Sequence, residues 1–171
     1  ARALQSYGCN ALYRDFTPDF LVALGNDIVK EIAETTYVND NIVYTGAMHT
    51  LENPGKFYLL PHNPYTDAGT TAAYLAALDG HKKVYLIGFD GNSTETFNDN
   101  MYAGTNGYQL PASPVDGIQW EVARSELFKT YDDTEFIQVT EQGRVTNPAS
   151  WISCPNFRQI SFRQFVLEAD L

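Results

Sequence analysis

TDAGTTAAYLAALDGHKKVYLIGFD, residues Thr66 to Asp90, decides the fold class. Its first half reads as a helix. Gly69, Ala72, Ala73, Ala76 and Ala77 recur at spacings of three and four and so share one stripe. Side chains this small let a helix lie close against a sheet. Thr66 or Asp67 caps the helix, and Gly80 ends it. The second half, Val84-Tyr85-Leu86-Ile87-Gly88, is apolar on both faces, as a central parallel strand must be. In open α/β sheets, ligands bind just past the carboxyl ends of such strands. Gly88 and Asp90 stand there.

The same alternation extends outward in both directions. Leu4 to Cys9 reads as a first strand, followed by a turn or short helix from Asn10 to Phe16 that Pro18 closes. Phe20 to Leu24 is a second strand. Asn26 or Asp27 caps a helix running to about Thr35, with Ile28, Val29 and Ile32 facing inward. Ile42 to Tyr44 and Phe57 to Leu60 are further strands, the latter stopped by Pro61. After Asp90 the texture changes: Gly91 to Pro111 is rich in Asn, Gly, Thr and Tyr and has no period. A loop that long in a compact domain is functional or mobile. Ser113-Pro114 opens a helix to about Tyr131, with Ile118, Val122, Leu127 and Phe128 as its apolar face. Phe136 to Val139 is a sixth strand. The tail carries Trp151-Ile152, Asn156-Phe157 and a short helix capped by Ser161.

No internal repeat or linker interrupts residues 1–171, so the chain reads as one α/β domain, a mostly parallel sheet flanked by helices. The Asn10 turn, the Leu24-Gly25-Asn26-Asp27 turn, His62-Asn63 and Asp90 are expected at one edge of that sheet. The chain opens at Ala1 without Met and runs almost at once into a strand. It therefore reads as a fragment or processed product, with more chain expected upstream.

Composition narrows the function classes. With 13% aromatic and 19% charged residues, the chain has the makings of a folded core and not of a disordered segment. A net charge of -10 argues against nucleic acid or an anionic membrane as partner, because both need a basic footprint. No apolar run approaches the roughly 20 residues of a membrane span, and no signal peptide is visible, which points to the cytoplasm, of a host cell if the protein is viral. Cys9 and Cys154 read as free thiols.

Three constellations could carry chemistry. In Gly8-Cys9-Asn10-Ala11-Leu12-Tyr13-Arg14, a strand-end Asn10 offers an amide to a base or sugar hydroxyl, and Arg14 a fork to a phosphate or carboxylate. The structural alternative is that Asn10 caps the next turn and Arg14 pairs with Asp15 or Asp19. In Pro61-His62 through Thr71, Gly69 and Thr70 open a helix whose N–H groups can face an anion, with His62 close by as an acid or base. Asp67 opposes this by placing a negative charge at the same helix end, where it serves more simply as a cap. In Gly88-Phe89-Asp90-Gly91, Asp90 could hold a metal, accept from a sugar hydroxyl or act as a base. Equally, it could bond its own turn. His49, His62 and His81 lack partners at zinc-ligand spacing. Tyr102 and Tyr108 could stack on a ligand or pack on each other.

Together these residues resemble a known group. A strand ending in Gly8-Cys9-Asn10, then Pro18-Asp19-Phe20-Leu21-Val22-Ala23, a Gly69-Thr70 helix start, the alanine helix and Lys82-Lys83-Val84-Tyr85-Leu86-Ile87-Gly88-Phe89-Asp90 make up the pattern. It resembles the MptE-like proteins related to 6-hydroxymethylpterin diphosphokinase and, more distantly, the bacterial lipooligosaccharide sialyltransferases. Small phage-encoded proteins of unassigned function carry similar patterns. The resemblance spans roughly Tyr7 to Asp90. It implies a nucleotide-binding, Rossmann-like fold and transfer chemistry on a phosphate-linked donor. Asn10 matches a nucleotide-contacting Asn, Gly69 and Thr70 the helix start that meets the donor, and Gly88 and Asp90 the strand-end motif. These families open with a Gly-Asn-Gly-Pro-Ser loop, expected upstream of Ala1, and the sialyltransferases' later catalytic His has no counterpart after His81.

The resulting expectation is a nucleotide-dependent, glycosyltransferase-like transferase. Asn10, Arg14, Gly69, Thr70 and Gly88 hold a nucleotide or nucleotide-sugar donor, and Asp90 and His62 supply acid-base groups. The alternatives are a pyrophosphokinase using Mg²⁺ on Asp90 and Asp27, and a non-catalytic binding or interaction module.

Overall fold

The computed structural model describes residues 4–62, 66–89, 100–108, 117–141 and 145–171. Asp90, most of the loop that follows it and the Ser113-Pro114 helix start lie outside the described residues. The fold is α/β with parallel strands flanked by helices, as the alternation of elements requires. The chain divides into two compact units, and the strands form two sheets among the described residues where the sequence suggested one.

The first unit comprises Gln5–Ala72 and Asp99–Ser113. Its four strands, β1 (Tyr7–Cys9), β2 (Phe20–Val22), β3 (Ile42–Thr45) and β4 (Tyr58–Leu59), lie in that order and are all parallel. A 3-10 turn, Asn10–Arg14, follows β1. Helices α1 (Asn26–Glu34), α2 (Tyr37–Asp40) and α3 (Ala47–Glu52) fall between the later strands. Leu21 and Val43 point into a core with Ile28, Val29, Ile32 and Ala33 of α1, the inward stripe read from the sequence. Alternate residues point the other way, and there Tyr7, Phe20, Tyr44 and Tyr58 form a row across all four strands, ring centroids 5.0–6.2 Å apart.

Neither Asn26 nor Asp27 caps α1. The helix starts one residue early, the flanking residue is Gly25, and no side chain caps it. The Asn26 carboxamide is turned to the His49 ring instead, at 2.9 Å.

Helix α4 (Ala68–Leu78) begins as expected on Asp67, whose carboxylate accepts the Thr70 N–H at 2.9 Å. Ala72, Ala73, Ala76 and Ala77 are all buried, and so are Thr71 and Leu75. At its end Gly80 turns left-handed (φ +90°). The Gly80 N–H reaches Ala77 O, and the His81 N–H reaches Ala76 O. This paired closure satisfies two of the last carbonyls of a helix, and glycine adopts the required φ without Cβ strain.

The second unit comprises Ala1–Leu4, Ala73–Asn98 and Pro114–Leu171. Its sheet runs β5 (Lys83–Ile87), β6 (Glu135–Val139), β7 (Phe157–Ile160), again all parallel. One face carries Ile137, Val139 and Ile160, with Tyr85 meeting Phe165 of α7 (Phe162–Ala169) edge-on at 4.9 Å. The other carries Phe136, which packs with Phe157 around Phe128 of α5 (Gly117–Thr130). Trp151 of α6 (Ala149–Ile152) closes that cluster. Ser161 caps α7, as the sequence indicated, and the Gln164 side chain returns the bond to complete a capping box.

The apolar face expected of α5 is only half right. Leu127 and Phe128 are buried, but Ile118 is 74% and Val122 56% exposed. The buried positions are taken by Arg124 and Ser125. Arg124 is accommodated because its guanidinium lies over the rings of Phe89, Trp120 and Trp151, 4.8–5.3 Å from their centroids.

Candidate functional site

Because β1 to β4 are parallel, their carboxyl ends share one edge of the first unit. Asn10 follows β1, Leu24 to Asp27 follow β2, and His62 lies three residues beyond β4. Gly88 ends β5 in the second unit, in the left-handed region at φ +78°. The expected site residues thus fall on two units: Asn10, Arg14, His62, Gly69 and Thr70 on one, Gly88 on the other. Asp90 lies outside the described residues.

Asn10 is one of two described residues other than glycine with positive φ, at +47°. Asn tolerates this region better than most side chains because its short amide bonds locally. The amide does not cap the 3-10 turn, the structural role the sequence allowed. Its Oδ1 instead accepts the Leu24 N–H at 3.1 Å, tying the loop after β1 to the loop after β2.

The start of α4 lies close to the end of β1. Burial, and then the nearby Asp67 carboxylate, push the Cys9 thiol up to about 11. Asp67 also accepts the Thr70 hydroxyl at 2.5 Å, and its carbonyl accepts the Thr71 hydroxyl at 2.9 Å. The amino end of α4 therefore carries its own anion, and that negative charge repels a phosphate. An uncharged part of a ligand fits beside it better.

Arg14 pairs with neither Asp15 nor Asp19. Its Nε and Nη2 donate to the two carboxylate oxygens of Glu31 at 2.8 and 2.6 Å. Nη1 donates to Thr105 Oγ1 at 2.8 Å, and Nη2 also donates to Asn106 O at 3.1 Å. Tyr13 donates to Glu31 as well. Asn106 completes the set, its Nδ2 reaching Glu31 Oε2 at 2.6 Å. Asp19 is satisfied by the Ser6 N–H and hydroxyl, which hold its carboxyl below the ordinary range.

Residues 100–108 thus sit on the Asn10–Arg14 turn and on α1. Gly107, at φ +77°, passes so close to Ile28 that a Cβ would come within 2.7 Å of Cδ1. Tyr102 and Tyr108 pack against the core around Ala11 and Ile28, with the Ala11 N–H and the Asn10 side chain beside the Tyr108 phenol, and the two rings lie 5.8 Å apart. Sequence reading noticed these tyrosines but not Glu31, Thr105 or Asn106, because none of them stands in a motif.

In the second unit, the Phe89 carbonyl just past β5 accepts Gln138 Nε2 at 2.6 Å, and Gln138 Oε1 accepts Asn147 Nδ2 at 2.6 Å. Gln138 is 1% exposed, so this amide pair is a buried polar strut between strand ends.

Among the described residues, no group of three or more His, Cys, Asp or Glu side chains could hold a metal ion, and no helix is long and apolar enough to cross a membrane. Both cysteines are free thiols. No protein-family model matches the chain, no curated protein is significantly similar to it, and no solved structure matches it.

Proposed function

We propose that this chain is a nucleotide-dependent, glycosyltransferase-like transferase that takes a nucleotide or nucleotide-sugar at the carboxyl edge of β1–β4. The observation that carries the reading is Asn10, held at φ +47° at a parallel-strand edge with its amide fixed to Leu24. Such edges are where α/β sheets bind ligands, and the left-handed turn at Asn10 holds its side chain there. The resemblance around Gly8-Cys9-Asn10 and Gly88-Phe89-Asp90 supports the same conclusion. Asn10 reads the base or sugar, Gly69 and Thr70 are the donor-side candidates of the same unit, and Gly88 is a donor candidate on the resemblance alone. His62 and Asp90 are the acid-base candidates. The Asp67 cap favours a base, ribose or sugar ring at α4, leaving the phosphates to other groups.

A second reading, a binding module without catalysis, draws support from the same cap and from the engagement of Arg14 with Glu31. Fold alone does not establish activity. A thermal-shift panel of CMP, UDP-sugars, GDP-sugars and ATP, each with and without Mg²⁺, tests the proposal. Stabilisation by a pyrimidine or sugar nucleotide without Mg²⁺, lost in Asn10→Ala, is the expected result. Stabilisation by ATP only with Mg²⁺ would favour a pyrophosphokinase, and no shift with any nucleotide would overturn both enzyme readings.

A further inference from the structure

We infer that residues 100–108 form an intramolecular strap over the Asn10 end of the ligand edge, with the Tyr108 hydroxyl standing where an acceptor oxygen of the ligand binds. The identity of the ligand rests on the function proposed above; the strap itself does not.

The strap is built to sit down as a unit. The Gly104 N–H reaches Tyr108 O at 2.7 Å, and the Tyr108 N–H reaches Thr105 O at 3.0 Å, closing a tight turn. One side of the turn is pinned through Thr105 and Asn106 to Arg14 and Glu31. Gly107 lets its backbone press onto Ile28. Its end seats Tyr108 against the core around Ala11 and Ile28, with the Ala11 N–H and the Asn10 side chain beside its oxygen. Two convergent donors mark a place for an oxygen, and a ligand carbonyl, hydroxyl or phosphate oxygen satisfies them as well as a phenol does. The exchange leaves no donor orphaned.

Lifting the strap breaks exposed polar links to Arg14 and Glu31. It also uncovers the Tyr102 and Tyr108 rings, which pack against the core around Ala11 and Ile28, so the open form is the minor one. While it is down, only the open fraction of molecules is competent to bind, and the apparent affinity is reduced by that fraction. Cys9 ends β1 directly before the Asn10–Arg14 turn on which the strap is pinned, so its thiol reports on the strap.

The test is site-resolved alkylation of Cys9 and Cys154 by iodoacetamide, read by peptide mass, on the whole chain without ligand. Glu31→Gln and Thr105→Val each remove strap anchors. The expected result is Cys9 alkylation about tenfold faster in Glu31→Gln and several-fold faster in Thr105→Val, with buried Cys154 unchanged. An unchanged Cys9 rate, or Cys9 and Cys154 accelerating together, overturns the strap. With any nucleotide that binds in the thermal-shift panel, each variant's affinity should rise by the same factor as its Cys9 rate. Faster Cys9 alkylation with unaltered or weaker nucleotide binding would show that the strap does not cover the ligand edge. If no nucleotide binds any form while Cys9 alone accelerates, the transferase reading fails and the strap stands.

Discussion

Arg14 and Glu31 meet fork to fork, Nε on Oε1 at 2.8 Å and Nη2 on Oε2 at 2.6 Å, joining the turn after β1 to α1. A bidentate guanidinium–carboxylate pair is stronger and more directional than a single ion pair. Solvent screens it in part, since the two side chains are 21% and 24% exposed. Glu31→Gln removes the charge while keeping the shape, and Tyr13, Arg14 and Asn106 all lose an anionic acceptor. The expected cost is about 1–2 kcal/mol, or a fall in Tm of about 3–6 °C for a chain of this size. Differential scanning calorimetry measures it, and a fall below 1 °C would mean the fork contributes nothing net.

The same pair sets an acid limb. Arg14 foremost, then Tyr13 and Asn106, donate to Glu31 and outweigh burial, holding its carboxyl at about 2 against an ordinary 4.5. The folded pKa is depressed, so the unfolded chain binds the extra proton in that window and stability rises with pH there. The contribution is fully present above about pH 4.5 and is lost as pH falls through about 2. The gap in unfolding free energy between the native protein and Glu31→Gln should be flat from pH 5 to 7 and should shrink between pH 4.5 and 2. Urea titrations at half-unit pH intervals would contradict this if the gap held constant down to pH 2.

Gly107 and Gly80 share a left-handed backbone but not surroundings. At Gly80 (φ +90°) nothing lies within 4 Å of a built Cβ, whereas at Gly107 Ile28 Cδ1 lies at 2.7 Å and Cγ1 at 2.9 Å. Gly80→Ala therefore meets backbone strain alone, about 1–2 kcal/mol. Gly107→Ala adds overpacking against the core of the first unit and should lose about 1–3 kcal/mol more, provided the strap stays down. If instead the strap lifts to relieve the clash, Gly107→Ala will show the smaller loss and fast Cys9 alkylation. The urea midpoint and the alkylation rate together separate the two outcomes.

What was legible in the sequence was what repeats locally. The alanine stripe of α4, its Asp67 cap and its Gly80 closure are neighbours along the chain, and each obeys a rule spanning five residues or fewer. The inward stripe of α1 was legible for the same reason. Strand β7 was missed because Phe157-Arg158-Gln159-Ile160 has no apolar run. Arg158 is satisfied there by Glu135 and Glu168, 23 and 10 positions away. Helix α5 misled because aromatic rings from two other places in the chain, Phe89 and Trp151, and its own Trp120 make Arg124 a core residue, while Ile118 and Val122 are exposed. In the candidate site, Asn10 stood out by its position after a strand. Its neighbour network did not, since Asn106 and Glu31 are 75 positions apart and no periodicity links them.

Asn156 gives a test free of the candidate site. Its Nδ2 donates to Phe128 O at 2.9 Å, Tyr131 O at 3.0 Å and Thr134 O at 2.9 Å, gathering the end of α5 and the start of β6 onto one amide. The last carbonyls of a helix have no partner within it, so this side chain acts as a cap donated from a distant segment. Asn156→Ala leaves three carbonyls to find water and should lose about 1–2 kcal/mol. Asn156→Asp puts a carboxylate against the same three oxygens and should lose more than Ala does at pH 7. Repulsion raises the folded pKa of that carboxyl, so its penalty fades as pH falls through about 4 and the group becomes an O–H donor. Urea midpoints at pH 7 and pH 4 read the sign: Asp below Ala at neutrality and converging with it in acid is the expected pattern. Equal midpoints at pH 7 would mean the amide is not the cap of α5.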